Sequence, residues 1–161
     1  MKLPERFEFE VKAFISDVDG CWTDGGMYFS AEGQAMKRFD VKDGYAVGML
    51  AEKGIPVIWL TADDSLITRS RAERLKIAEL HVCAREKTDE FLKVLSDRGW
   101  KPDEVVYMGD DLNDLPVMAM APHTVCPADA VAEVRAAATW ICERDGGRGA
   151  VREVAERMVK A

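Results

Sequence analysis

Short apolar runs alternate with amphipathic stretches along this 161-residue chain. That alternation predicts a mostly parallel β-sheet covered by helices. Residues 11–16 read as a first strand and residues 55–60 as a second, with a helix over 43–53 between them that Gly54 terminates. Helical spacing follows over 65–75, then a short strand at 79–82, then a helix over 87–98 that stops at Gly99. Residues 105–108 form another strand. A helix over 112–119 tolerates Pro116 only near its first turn. Thr124 and Val125 suggest one more short strand, and helices are expected over 130–137 and 150–159.

One segment breaks the alternation. Residues 27–29 and 35–39 are two short strand-like runs around Ala31-Glu32-Gly33-Gln34, and Gly25-Gly26 precedes them as a hinge. They predict a β-hairpin projecting just after the first strand. The chain has no internal repeat or low-complexity segment. One α/β domain spanning residues 1–161 is expected, long enough to bury a sizeable core.

Composition narrows the function classes. The net charge of −7 argues against a nucleic-acid partner, because a phosphate backbone calls for a basic face. It does not exclude a small anionic substrate, since a metal ion and a few basic side chains make a pocket locally positive. No stretch is apolar and long enough to span a membrane, and residues 1–12 have no signal-peptide pattern. A soluble, cytoplasmic protein without a membrane partner is therefore expected. Cys21, Cys83, Cys126 and Cys142 are widely spaced, which predicts buried reduced thiols rather than a disulfide framework or zinc site.

The candidate chemistry sits where the predicted strands end, which is where open parallel sheets bind ligands. The first strand runs into Asp17-Val18-Asp19-Gly20 and the second into Thr61. Residues 105–108 run into Gly109-Asp110-Asp111, with Asp114 close behind, and Lys87 opens the helix after 79–82. Taken singly, these are ordinary turn acids, helix caps and a surface lysine. Together they meet one requirement, phosphoryl transfer through an aspartyl phosphate. Asp17 is the candidate nucleophile. A hard divalent cation, Mg2+, must offset the repulsion between carboxylate and phosphate, with Asp17, Asp110 and the Asp19 main-chain carbonyl as candidate ligands. Asp19, two residues on and on the same side of an extended chain, is the candidate general acid and base. Thr61 and Lys87 are candidates for holding the phosphoryl oxygens.

On these residues the sequence resembles the haloacid dehalogenase superfamily. The matching pieces are Asp17-Val18-Asp19-Gly20, Thr61, Lys87 and Gly109-Asp110-Asp111-Leu112-Asn113-Asp114, in the family's order. A closer resemblance is to its small capless phosphatases of 3-deoxy-ulosonic acid phosphates. It rests on residues 17–25, Phe39-Asp40-Val41-Lys42-Asp43-Gly44, Arg71-Ala72-Glu73-Arg74-Leu75 and Gly146-Gly147-Arg148-Gly149-Ala150-Val151-Arg152-Glu153. The resemblance implies a Rossmann-like three-layer sandwich, a small phosphorylated sugar-acid substrate, and supporting roles for Asp111 and Asp114. It also implies a homotetramer in which one subunit's hairpin reaches its neighbour's site, and a glycine-rich segment able to fold over the pocket. Spacing agrees with the absence of a cap, since neither 19–61 nor 61–87 has room for one.

The pattern also departs from that family. Kdo-8-phosphate phosphatases usually read Thr-Gly-Arg at the second motif, where this chain has Thr61-Ala62-Asp63, and a second family arginine falls on Gly48. Arg71 is retained as a substrate contact, and Arg148 can bring positive charge to the substrate. An acid after the threonine looks more like the KDN-9-phosphate phosphatases, with Asp63 bonding a sugar hydroxyl or amino group. The expectation is a nine-carbon ulosonate 9-phosphate, with Kdo 8-phosphate as the alternative. Asp63 and Asp64 can also be read as caps of the helix that follows. A receiver domain is disfavoured because the second apolar strand ends in Thr61 rather than in an aspartate. A non-catalytic module that kept the fold predicts loss of a catalytic residue, and Asp17, Asp19, Thr61, Lys87 and Asp110 are all present.

Overall fold

The computed structural model describes residues 1–83 and 86–160. The first strand, β1 (Ala13–Ser16), is buried at every position. After a tight turn come the hairpin strands β2 (Thr23–Ser30) and β3 (Gly33–Phe39), then α1 (Val41–Glu52). The chain continues through β4 (Val57–Thr61), α2 (Leu66–Leu75), β5 (Glu79–Val82), α3 (Lys87–Arg98) and β6 (Val105–Met108). A 3-10 turn over Leu112–Asp114 leads into the short α4 (Leu115–Met118). Next come β7 (Thr124–Cys126), α5 (Ala132–Ala137), β8 (Trp140–Ile141) and α6 (Ala150–Met158).

Six strands form one sheet in the order β5-β4-β1-β6-β7-β8. Every pairing in it is parallel. Such a sheet needs cover on both faces, and strand periodicity supplies two apolar surfaces. Phe14, Val57, Trp59, Val106 and Met108 face a layer built from α1, α2 and α6. Ala13, Ile15, Ile58, Leu60, Val105 and Tyr107 face α3, α4 and α5. The parallel sheet covered by helices that the alternation predicts, and the three-layer sandwich that the resemblance implies, are the observed fold, and no cap domain is inserted among the described residues.

The departures from the sequence reading are local. Helix α1 starts at Val41 rather than 43, because Asp40 caps it by accepting from the Lys42 N–H at 2.7 Å. The 112–119 helix is split, its first turn tightened to 3-10 geometry where Asp114 turns inward. The hairpin strands are longer than expected, and Gly25-Gly26 lies within β2, where the pairing register shifts between Thr23 and Met27. Strand β8 has no sequence signal of its own: two residues pair with β7, and Lys2 pairs with Ile141 on the other side.

The segment 146–149 packs against the turn after β1. Its glycines permit close backbone contact: a Cβ on Gly146 would lie 1.6 Å from the Gly20 carbonyl oxygen, and one on Gly147 2.4 Å from the Thr23 carbonyl carbon. The Gly147 N–H donates to the Cys21 carbonyl at 2.9 Å. Buried Asp43 accepts from the N–H groups of Gly149 at 3.0 Å and Arg152 at 2.8 Å, which caps α6 and ties it to α1. The segment is thus stitched to the turn after β1.

Two glycine substitutions separate packing from propensity. Gly146→Ala is expected to destabilise the fold by about 1–3 kcal/mol, because the new methyl meets main chain. Gly48→Ala, on an exposed position of α1 with nothing within 4 Å of its would-be Cβ, is expected to stabilise by about 0.5–1 kcal/mol. Urea unfolding midpoints measure both.

Candidate active site

The site lies at the carboxyl ends of the central strands. β1 delivers Asp17, whose N–H donates to the Met108 carbonyl of β6 at 2.9 Å. The chain then turns around the Val18 carbonyl, which accepts from the N–H groups of Cys21, Trp22 and Thr23. Gly20 sits at φ +84°, and a Cβ there would lie 1.9 Å from Asp110 Oδ2. Only glycine allows the first and last motifs to close on each other. β4 ends in buried Thr61, whose Oγ1 accepts from the Asp63 N–H at 3.1 Å and keeps its hydroxyl hydrogen free to donate.

Fully buried Asp114 organises the other side. Its Oδ1 accepts from Tyr107 Oη at 2.7 Å and Lys87 Nζ at 2.8 Å. Its Oδ2 accepts from the N–H of Asp110 at 2.9 Å and of Asp111 at 3.3 Å. Lys87 is also buried, and its Nζ lies 2.9 Å from Asp17 Oδ1. Among the described residues two of its three donors are engaged, and the third has no acceptor. Burial works against the Lys87 charge, but Asp17 and Asp114 outweigh it and raise its pKa.

Carboxylate oxygens of Asp17, Asp110 and Asp114 lie within 4.8 Å of one another. Burial, then the charge of Asp114, pushes Asp17 up to about 7 despite Lys87. Burial, then Asp17 and Asp114, pushes Asp110 up to about 8. Two hard oxygen donors that lack a sufficient counter-charge fit a divalent cation of the magnesium type. Asp114 has both oxygens occupied by protein donors, so it positions this pair rather than joining it. Cys21 Sγ donates to Asp110 Oδ1 at 3.7 Å, and burial holds its thiol well above its ordinary pKa, so it is not a reactive thiolate. All four cysteines are buried and free.

A pocket of about 220 Å³ is lined by Asp17, Asp19, Gly20, Gly25, Thr61, Ala62, Asp63, Asp110, Asp111 and Asn113. Most of the residues singled out from sequence thus converge, with Lys87 and Asp114 directly behind them. Among the described residues lining it, five are carboxylates and none is a cation. Arg71 lies elsewhere, in a separate cavity with Phe39, Leu66, Ile67, Ser70 and Arg74. Its guanidinium sits 5.3 Å over the Phe39 ring. Arg148 is half exposed beside Asp24, 3.5 Å away. A larger groove, about 1090 Å³, opens at the amino ends of β1, β4 and β5, away from this chemistry.

Asp63 is fully engaged within the chain. Its Oδ2 accepts from Lys37 Nζ at 2.8 Å, Ser65 Oγ at 2.6 Å and Thr68 Oγ1 at 2.6 Å, and its Oδ1 accepts from the Ser65 N–H at 3.2 Å. Burial alone would raise this carboxyl, but those bonds prevail and bring it down to about 2. Ser65, rather than Asp63 or Asp64, is the N-cap of α2, and Asp63 accepts a bond from that cap's hydroxyl. Lys37 was not singled out from sequence. Its signal was period two: it shares a face of β3 with Phe39, which stacks on buried Trp59. Tyr107 was missed for the same reason, since its hydroxyl is hidden in an apolar strand.

A nucleophile-type aspartate, a buried lysine and an acidic pair on neighbouring strand ends define a hydrolase site. A family model for haloacid dehalogenase-like hydrolases matches residues 61–153, and the chain belongs to that family. A 3-deoxy-D-manno-octulosonate 8-phosphate phosphatase of Yersinia pestis is 35% identical over 94% of this chain and 81% of its own length. The cobalt-bound phosphatase of the same description from Haemophilus influenzae superimposes with a TM-score of 0.89 at 34% identity, covering 94% of this chain and 88% of that one. That from Moraxella catarrhalis, in complex with magnesium, phosphate and KDO, gives 0.88 at 31% identity over 93% and 86%. These relatives are phosphoric monoester hydrolases. No helix among the described residues is long and apolar enough to cross a membrane.

Replacing Asp114 by Ala leaves Tyr107 Oη and two main-chain N–H groups without their acceptor and Lys87 with Asp17 alone. A loss of about 3–5 kcal/mol is expected, read by urea unfolding.

Proposed function

We propose that this chain is a magnesium-dependent phosphatase that hydrolyses Kdo 8-phosphate through an aspartyl phosphate on Asp17. The observation that carries the reading is the convergence of Asp17, Asp19, Thr61 and Asp110 in one pocket with Lys87 bonded behind it. The Asp17 carboxylate attacks phosphorus and the bond to the sugar oxygen breaks. Asp19 gives its proton to that oxygen, then takes a proton from the water that releases phosphate. Thr61 and the free Lys87 donor hold phosphoryl oxygens as charge moves. Asp17, Asp110 and the Asp19 main-chain carbonyl would hold magnesium, which would supply the positive charge that lets two anions approach.

Two findings turn the substrate from the nine-carbon 9-phosphate expected from Asp63 toward the eight-carbon sugar. The curated relatives that match over 94% of the chain carry the Kdo-8-phosphate activity. Asp63 Oδ2 is already engaged by Lys37, Ser65 and Thr68.

A carboxylate-lined pocket is a poor receptor for a sugar acid unless positive charge comes from elsewhere. A homotetramer with shared sites meets that need, with basic residues such as Arg71 and Arg148 facing a neighbour's substrate. The hairpin supports this reading: Met27, Tyr28, Phe29 and Met36 are between 51% and 69% exposed, and Tyr28 pairs with Met36 across its strands. The protein is proposed to work in the cytoplasm.

Phosphate release from an aryl phosphate is expected to need magnesium and to vanish in Asp17→Asn; activity surviving that change or a chelator sinks the mechanism. Asp19→Asn should cut turnover by about 10²–10⁴-fold while magnesium affinity, followed by calorimetry, stays near wild type. Kdo 8-phosphate is expected to give the highest kcat/KM in a parallel screen with KDN 9-phosphate, N-acetylneuraminate 9-phosphate and hexose phosphates; a flat profile points to a generalist. Light scattering should return about four times the mass of one chain, and a stable monomer refutes the shared site.

A further inference from the structure

Lys37 is the most enclosed cation of the site, and the reaction outlined above leaves it without a task. Its side chain is wholly buried, although it comes from a hairpin whose neighbouring residues face solvent. Nζ lies 2.7 Å and 2.6 Å from the two Asp19 oxygens and 2.8 Å from Asp63 Oδ2. Thr68 Oγ1 lies 3.5 Å away. Asp19 receives one further bond, from Thr23 Oγ1 at 3.3 Å. The pocket-facing acid is therefore gripped through both oxygens by a single ammonium.

That ammonium is itself held. Asp63 bonds Lys37, and Ser65 and Thr68 hold Asp63 from the first turn of α2. The array runs from β3 through Lys37 to the turn after β1, and through Asp63 to the end of β4. Burying a lysine to grip an acid costs desolvation, which a purely structural ion pair recovers poorly. A proton donor has a different need, because a small displacement from the leaving oxygen costs rate steeply.

We propose that Lys37, anchored by Asp63, is a positioning residue that holds the Asp19 carboxyl toward the leaving-group oxygen. This rests on the phosphatase reading, in which Asp19 is the general acid. Asp63 then serves catalysis through Lys37 and touches no substrate. The acid that replaces the expected arginine at the second motif is a counter-charge for a hairpin lysine.

The test uses leaving groups. An alkyl phosphate needs a proton delivered to its oxygen, whereas p-nitrophenyl phosphate, with a stable leaving anion, needs little. kcat/KM ends at departure of the leaving group, so the alkyl-to-aryl ratio of kcat/KM reports Asp19 as an acid. The ratio is independent of the fraction of protein folded. Lys37→Met is expected to lower it at least about tenfold, and Asp63→Asn to lower it less, in the same direction. In an Asp19→Asn background, Lys37→Met should change the ratio no further. If wild type turns over both substrates and the Lys37→Met ratio stays within about twofold of wild type, Lys37 does not position the acid. A further drop in the Asp19→Asn background overturns it equally. If Lys37→Met yields no folded protein, the Asp63→Asn ratio decides alone. A wild type that releases phosphate from neither substrate removes the phosphatase reading, and this proposal with it.

Discussion

Repulsion among Asp17, Asp110 and Asp114 is the constraint around which the molecule is arranged. Their oxygens lie within 4.8 Å of one another at the buried ends of two adjacent strands. Left alone, such a cluster would protonate or open. Lys87 bridges Asp17 and Asp114, and Tyr107 with two main-chain N–H groups completes the set on Asp114. What stays short of counter-charge is the pair Asp17 and Asp110, facing the pocket. The protein neutralises one carboxylate fully so that two others can be held ready for a cation.

Close backbone approach makes this arrangement sterically feasible. Gly20 lets the first motif touch Asp110, Gly109 lets Asp114 fold back beneath its own turn, and Gly146 presses the last loop onto Gly20. The glycines therefore act as absent side chains more than as hinges. The Asp43 cap on α6 anchors the same loop from below, so the turn that carries Asp17 and Asp19 is braced on both sides.

Charge balance links the site to its surroundings. An acid-lined pocket for an anionic substrate works only with imported positive charge. On the proposed reading a metal would be one source, and basic residues of a neighbouring copy another. Lys37 belongs to the same balance: it brings a cation from the hairpin to Asp19.

The layered fold and the members of the candidate site were legible in the sequence because both depend on local rules. Apolar strands of four or five residues, glycine helix stops and acids just past strand ends need no knowledge of distant contacts. Asp17, Thr61, Lys87 and Asp110 declared themselves by type and order, since the chemistry accepts few substitutes. Asp63 shows where that ends. From sequence it was an open acid awaiting a sugar, and only the folded chain brings Lys37, 26 residues away, to occupy it. Arg71 and the glycine-rich loop were likewise placed by packing. A side chain's type is written locally, but its partner is chosen by which segments the sheet order makes neighbours, and that is a property of the tertiary structure alone.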